Sequence, residues 1–563
     1  MHDVGTTENK GTSGEIEERA KEDWRTRLIQ FIAGAIAIAF TFFYLQFRTQ
    51  AILDVDGYYH IKWSRLIWEG LRQGHFPPPF PYLPLTTLNP QSYVDHHLLF
   101  HILLIPFTLF GDMRIGAKIA AALFGSLAVI SCYWLIFRYR IKYPLVWLVA
   151  LLACSAPFLY RLSMTRAQSV SIIFMVVGIY LLFERRYRWL APLAFLYVWT
   201  YSLFVTLIAA AAIWVAVVWW SERRFEWRAF LWTIIGTVAG FVLNPYFPKN
   251  ISLFIEHLLM KLTAKDFATS VGAEWYPYES WYLFYSSLVA FTAMVVGYVA
   301  TGRSERSQAV RPAFFLLFST LLLIITARSR RFVEYWPPFA ILFAAFALQP
   351  LFERARHAFG SLPADVLADL QPLLDQQAGD KKRRFREEIA PGLLCVLLLI
   401  PLGFNVYGTA QTIAEDESPF AYRGGMEWIK QHVPPGEIIF NTDWDDFPKL
   451  FFYDSIHRYV SGLDPTYLLD KDPELSRLYE NITLGREPNP APLIRERFGA
   501  RYIFTDNQEV HDAFYDNIIN SGWAEEVYSD DNCTVLRILD ERREPPPTED
   551  EQPDEATDDE PQN

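Results

Sequence analysis

Eleven apolar stretches, separated by short polar joints, run from Leu28 to about Tyr407 and constrain this chain more than anything else in it. They fall near 28–47, 115–137, 144–160, 167–183, 189–201, 203–220, 229–247, 281–300, 313–327, 332–349 and 389–408. A helix needs about twenty apolar residues to cross bilayer hydrocarbon, where its backbone amides must be bonded internally. The series predicts a polytopic α-helical membrane protein with about 11–13 transmembrane helices. The fifth and sixth stretches are short enough to form a tight hairpin.

Charge orients the series. Basic joints at Arg138–Lys142, Glu184–Arg188, Glu222–Arg224, Arg303–Arg311 and Lys381–Arg384 all fall on the side of Arg25 and Arg27 when spans are counted, as the positive-inside bias expects. Residues 1–27 are then a cytoplasmic segment leading into an uncleaved signal anchor, and the expected location is a cell membrane, multi-pass. The same count places four regions outside: the loop 48–114, the joint Arg161–Arg166, the loop 245–280, and everything after about Tyr407. Arg328, Arg330 and Arg331 break the rule by lying outside, so an anionic reason for them is expected.

The net charge of −12 is mostly local, because residues 540–563 hold eleven acidic and two basic residues among prolines. Such a tail cannot bury a core and is predicted to be disordered. The four cysteines give no disulfide framework: Cys132, Cys154 and Cys395 lie in apolar runs, and Cys533 has no evident partner. Glu353–Glu388 reads as an amphipathic cytoplasmic linker. Beyond Tyr407 the pattern changes, and 409–539 is predicted to be a soluble extracytoplasmic α/β domain. Its strands are expected at Glu437–Asn441, Tyr502–Thr505 and Thr534–Ile538, its helices at Gly425–His432, Leu493–Phe498 and Val510–Ile519.

The polar residues that carry chemistry lie in the outer regions. Asp54-Val55-Asp56-Gly57-Tyr58-Tyr59-His60 follows the first apolar stretch closely, and carboxylates at a hydrocarbon boundary are a site by default. If the segment is extended, Asp54 and Asp56 point to one side. Later in the same loop comes Tyr93-Val94-Asp95-His96-His97. Asp56, Asp95 and a histidine can hold a divalent ion, with carboxylate and water favouring Mg or Mn and imidazole shifting the balance toward Mn or Zn. The alternative is that the aspartates cap helices and the histidines face water. Glu274, in Ser270-Val271-Gly272-Ala273-Glu274-Trp275, is either a third acidic ligand or a solvated loop residue. Arg331 and Arg328 are placed either to grip a lipid phosphate with paired N–H donors or to snorkel to headgroups, and Arg166 has the same two readings. In the C-terminal domain Asp443-Trp444-Asp445-Asp446-Phe447-Pro448 follows a predicted strand, where α/β domains place ligand contacts; Trp444 is a recognition residue there, or the aspartates cap a helix through Tyr453.

In their order along the chain, these motifs resemble those of the C-type membrane glycosyltransferases, most closely the catalytic subunit of oligosaccharyltransferase and its single-subunit prokaryotic relatives. The resemblance runs from about Leu28 to about Asp454. It implies a transmembrane glycosyltransferase domain over 28–408, with Asp56, Asp95 and Glu274 holding Mn2+ or Mg2+ and His97 standing where the family has a second acid. Asp54 is implied as the acceptor's base or a supporting partner. Arg331-Phe332-Val333-Glu334-Tyr335-Trp336-Pro337 is similar to the motif whose arginine contacts the lipid-linked donor. Asp443-Trp444-Asp445-Asp446-Phe447 takes the place of the family's Trp-Trp-Asp-Tyr-Gly acceptor motif and keeps only the second Trp and the Asp, so recognition of an Asn-x-Ser/Thr sequon is not implied.

The expected function is transfer of a sugar or oligosaccharide from a polyprenyl-(pyro)phosphate donor to a protein, lipid or glycan acceptor on the extracytoplasmic face. Membrane lipids are expected partners and nucleic acid is not. The acceptor is expected to contact Trp444 and Asp445. The alternatives are a polyprenyl-monophosphate-sugar transferase acting on a lipid or polysaccharide and, outside enzymes, a transporter or membrane scaffold. A transporter is expected to bury paired charges and broken helices near the midplane, whereas the charges here cluster in outer loops.

Overall fold

The computed structural model describes residues 9–256, 272–302, 309–360, 389–415 and 418–543. The predicted acidic tail beyond 543, most of the 353–388 linker and the Lys381–Arg384 joint lie outside them, as do residues 303–308 and 257–271. The described residues form two compact units, one comprising 9–77, 94–256, 272–302, 309–360 and 389–415, the other 78–93 and 418–543.

In the first unit every predicted apolar stretch forms a helix or a bent helix pair. Trp24–Gln46, Met113–Arg138, Ser202–Glu222 and Ala390–Ala414 are each long and apolar enough to cross a membrane. Pro144–Leu152 with Ala156–Leu162, and Ser280–Ser286 with Leu288–Thr301, reach that length only as pairs, each bent by 79°. The remaining stretches form shorter apolar helices, among them Gln168–Phe183, Arg228–Val242 and Val310–Thr326. Small residues bring these helices close: a Cβ at Gly236 would lie 2.1 Å from the Ala191 carbonyl oxygen.

The bends have local causes. Ser155 caps the helix Ala156–Leu162 by accepting from the Phe158 amide, and Pro157 occupies its first turn, where a missing N–H is harmless. The second bend falls at Ser287, whose hydroxyl donates to Ser155 Oγ at 2.9 Å. The two breaks thus hold each other, and a hydroxyl pair satisfies groups that hydrocarbon would leave unbonded. The first break shortens its span so that Arg161 and the turn to Arg166 follow directly.

The loop 48–114 contains two helices, Asp56–Arg72 and Leu98–Leu104, that were not anticipated as helices. The first buries Tyr58, Tyr59, Ile61, Trp63, Ile67 and Gly70.

The second unit is built on a five-stranded mixed sheet: β1 (Ile438–Asn441), β2 (Arg458–Tyr459), β3 (Ala500–Asp506), β4 (Ala524–Ser529) and β5 (Cys533–Ile538), in the order β2-β1-β3-β5-β4. β1 is parallel to β2 and β3, and β5 is antiparallel to β3 and β4. The three predicted strands are β1, β3 and β5. Phe440, Ile503, Phe514 and Leu536 lie in its core. Residues 78–93 belong to this unit: Tyr82 packs on Phe451 and accepts from the Tyr459 amide at 2.8 Å, and the Thr87 amide donates to the Tyr467 carbonyl at 2.9 Å.

Candidate functional site

The site in the first unit centres on Arg166. Its Nε and Nη2 grip both oxygens of Asp54 at 2.5 and 2.7 Å, Nη2 also meets Asp56 Oδ2 at 2.9 Å, and Nη1 donates to Glu274 Oε2 at 2.9 Å. Asp54 and Asp56 reach one guanidinium through a turn rather than an extended strand. Asp54 sits in the left-handed region at φ 71°, a conformation rare outside glycine, and Asp56 opens the following helix. Gly57 makes the approach possible. A Cβ there would lie 2.5 Å from Ile52 Cγ2 and 3.2 Å from Thr165 Cβ, so only glycine lets this helix start against the residue before Arg166.

Glu274 joins from the other side of the chain, in the short turn Ala273–Trp275. That turn is laced to the Arg331 segment: Ser329 Oγ donates to the Glu274 carbonyl at 2.8 Å, and the Arg330 amide donates to the Tyr276 carbonyl at 3.0 Å. Arg161 bridges Glu274 and Glu334, so three arginines meet this carboxylate region. Arg331 lies 3.6 Å from Glu274, donates to the Tyr201 hydroxyl at 3.2 Å and lies over the Trp275 ring at 4.9 Å. His97 stacks on Tyr201 at 5.5 Å, and its Nε2 is buried without a hydrogen-bond partner.

The carboxyl groups respond oppositely to this setting. Burial pushes Asp56 up to about 7; Arg166 pulls it back, and Asp54 and Glu274 add to the rise. Burial also acts upward on Glu274, but the charges of Arg331, Arg166 and Arg161 outweigh it and hold Glu274 well below the usual carboxylate range.

Asp95 is in a different network. Its Oδ2 accepts from Trp63 Nε1 at 3.0 Å and pairs with His101 Nδ1 at 2.7 Å, while Oδ1 accepts from the His97 amide at 2.9 Å. His101 Nε2 continues to His60 Nδ1 at 2.7 Å. Burial tends to raise Asp95, yet the His101 charge and hydrogen bond and the His97 amide hold it below its ordinary value. Burial beside His101 drives His60 well below the ordinary imidazole range.

Among the described residues no three His, Cys, Asp or Glu side chains are placed to hold a metal ion. The geometry gives the reason. The three acids expected to share Mn2+ or Mg2+ are divided: Asp56 and Glu274 are bridged by Arg166, and both oxygens of Asp95 are engaged by Trp63, His101 and the His97 amide. As arranged, the residues present do not fit a three-carboxylate ion site. Arg166, read from sequence as a phosphate ligand, has at least four of its contacts to carboxylate oxygens. Arg328 is exposed at the end of a helix.

In the second unit, Trp444 is half-buried and Asp445 exposed just past β1. Asp446 stands at the start of the helix Phe447–Tyr453, but its side chain makes no capping bond. Asp446 Oδ2 and Asp506 Oδ2, past the carboxyl ends of β1 and β3, are buried without hydrogen-bond partners. Burial, then the charges of Asp506 and Asp443, drive Asp446 well above the usual carboxylate range.

Sequence reasoning missed Arg161, Tyr201 and His101. It read the Arg161–Arg166 joint as outer, but nothing local says which acids, more than a hundred residues away, Arg161 and Arg166 would meet.

An apolar cavity of about 1090 Å3 opens between the two bent pairs and the helix Ala390–Ala414, lined by Trp147, Pro157, Tyr160, Tyr285 and Phe404 among others. Tyr278 also lines it and carries the Arg330 guanidinium over its ring at 5.2 Å. Arg330, next to Arg331 in sequence, thus stands at the cavity wall.

No family model matches the chain, and no curated protein matches it in sequence. Solved structures do share its fold. The archaeal oligosaccharyltransferase AglB from Archaeoglobus fulgidus, in complex with an inhibitory peptide and a dolichol-phosphate, aligns with a TM-score of 0.56 at 11% identity, over 85% of this chain and 69% of its own. ArnT from Cupriavidus metallidurans, bound to undecaprenyl phosphate, aligns with a TM-score of 0.53 at 16% identity, over 90% of this chain and 97% of its own. In architecture, with its many apolar helices and its C-terminal mixed sheet, the chain has the fold of the C-type membrane glycosyltransferases, which are polytopic membrane proteins.

Proposed function

We propose that this chain is a membrane glycosyltransferase that moves a sugar or oligosaccharide from a polyprenyl-(pyro)phosphate donor to an acceptor at the extracytoplasmic face. The observation that carries this is the buried arginine–carboxylate cluster, with Arg330, the neighbour of Arg331, over a tyrosine that lines an apolar cavity. The prenyl chain lies in the cavity, and the donor phosphate is held by Arg331, assisted by Arg328 from the outer surface. Arginine suits this role because its planar N–H donors match phosphate oxygens. The acceptor's nucleophilic atom attacks the anomeric carbon; the bond from that carbon to the phosphate oxygen breaks, and the phosphate leaves with the electron pair toward Arg331. The acceptor's proton passes to Asp56, whose pKa of about 7 suits a base working near neutrality. Asp54 orients Arg166. Glu274 positions Arg331. Within the second unit, the half-buried Trp444 and the exposed Asp445 are the acceptor contacts of this reading.

The basic joints between spans support a cytoplasmic N-terminus and an extracytoplasmic C-terminal domain. A second reading, a polyprenyl-monophosphate-sugar transferase acting on a lipid or polysaccharide, is favoured by length: the chain matches nearly the whole of ArnT. Broken helices, named above as a transporter trait, do occur, but both bent pairs belong to a fold shared with glycosyltransferases.

Mass spectrometry of lipid co-purifying with the full chain tests the proposal. A polyprenyl phosphate or its glycosylated form should be found and should fall sharply in Arg331→Ala. Its absence, or equal amounts in both proteins, would count against a lipid-linked donor. The mass of the donor separates the two transferase readings.

A further inference from the structure

The resemblance led to an expectation of a divalent ion among acids of the outer loops. The geometry instead places a side chain at their meeting point. We propose that the guanidinium of Arg166 occupies the cation position shared by Asp54, Asp56 and Glu274, so that this chain's transfer chemistry runs without a divalent metal. The inference rests on the transferase reading for its consequence, but its geometry and its test do not.

Three observations support it. First, the carboxylates engage Arg166 through three hydrogen bonds, a fork on Asp54 and one to Glu274, and an ion-pair contact of 2.9 Å to Asp56. A guanidinium has five N–H donors, so three of the five are taken by acids. Second, the contact is built by the backbone. The left-handed Asp54 and the close seat of Gly57 against Ile52 and Thr165 accompany the Asp54-Asp56 turn where it meets Arg166. Third, the other acid expected at an ion is committed elsewhere, since Asp95 binds Trp63, His101 and the His97 amide. For a divalent ion to enter, Arg166 would have to leave three carboxylates and find other partners in a half-buried site, which is strongly unfavourable for a charged group. A fixed guanidinium also differs from an ion in function. It cannot exchange, and it holds Asp56 and Glu274 in place without taking up the donor phosphate, a task left to Arg331.

The experiment is a Mn2+ titration followed by electron paramagnetic resonance, on the full chain in lipid nanodiscs. Four proteins are compared: wild type, Asp56→Asn, Arg166→Met and Arg166→Lys. The wild type should show no Mn2+ site that Asp56→Asn removes. Arg166→Met, with its acids released, should bind Mn2+ at least about tenfold more tightly than the wild type. Arg166→Lys, which keeps the charge, should resemble the wild type. Should Arg166→Met fail to fold, the wild type against Asp56→Asn decides. A wild-type Mn2+ site lost in Asp56→Asn would overturn the proposal, as would a folded Arg166→Met with no gain in Mn2+ binding. Because binding rather than transfer is read, either result leaves the donor-lipid test of the transferase reading independent.

Discussion

Asp56 and Asp95 stand in the same loop, 48–114, of the same unit, and their surroundings give them opposite characters. Both are deprived of water by burial. Burial, joined by the charges of Asp54 and Glu274, raises Asp56 to about 7 against the pull of the shared Arg166 guanidinium. At Asp95 burial acts upward too, but the His101 charge and hydrogen bond and the His97 amide hold it low, and the Trp63 indole N–H is a further donor to it. A carboxyl near neutrality can take up and release a proton during turnover, whereas one held ionised inside a hydrogen-bond network orders its surroundings. Under the proposed function the first carries chemistry and the second architecture.

Mutation should separate them most sharply. Asp56→Asn should lower transfer by about 10²–10⁴-fold, the usual contribution of a general base, in a membrane assay with the identified donor. Asp95→Ala should act on folding instead, because it leaves His101 and Trp63 Nε1 buried without their acceptor. A loss on the order of 3 kcal/mol is expected, read as a lowered thermal midpoint. If Asp95→Ala folds normally and only transfer is lost, the division of roles is wrong.

The fold was far more legible than this division. Each apolar stretch announced its helix because bilayer crossing demands length and hydrophobicity in one continuous segment. The helix Asp56–Arg72 was hidden by its company in a Pro-rich loop, although Trp63, Ile67 and Gly70 trace one face at helical spacing, with Tyr58 and Ile61 together on another. β2 escaped notice because two residues carry no alternation, and β4 because its alternation is interrupted by charges. The acids were recognised as a site, but not their partners. Arg166 is about a hundred residues from both Asp56 and Glu274, and His101 lies inside an apolar run that offered no reason to single it out. Pairing of that kind is set by tertiary packing, which local pattern does not encode.

Gly57→Ala sharpens the comparison from the backbone side. Its Cβ would collide with Ile52 and press on Thr165, so about 1–3 kcal/mol of stability should be lost. Transfer should fall with it as Asp56 shifts from Arg166, while the Asp95 network stays intact. Kinetics together with the chemical shifts of His101 would show both effects.

The smallest effects are in pH dependence. As a base, Asp56 works when ionised, so transfer should fall as pH drops below about 7, and Asp56→Asn should lack that limb. The stability sign is the reverse. The folded pKa of Asp56 lies above its unfolded value of 3.8, so between those values the native state binds more protons and stability declines as pH rises toward 7. Asp56→Asn should therefore unfold at an equal or higher temperature than the wild type at pH 8. Asp95, held low, should add nothing to either profile in that window.

The most direct measurement is an experimental density map of the full chain in nanodiscs, prepared with Mn2+ present. The account predicts Arg166 side-chain density between Asp54, Asp56 and Glu274, with N–O separations of roughly 3 Å. An ion peak bridging Asp56 and Glu274 with Arg166 turned away, or those two carboxyls in separate places, would contradict it.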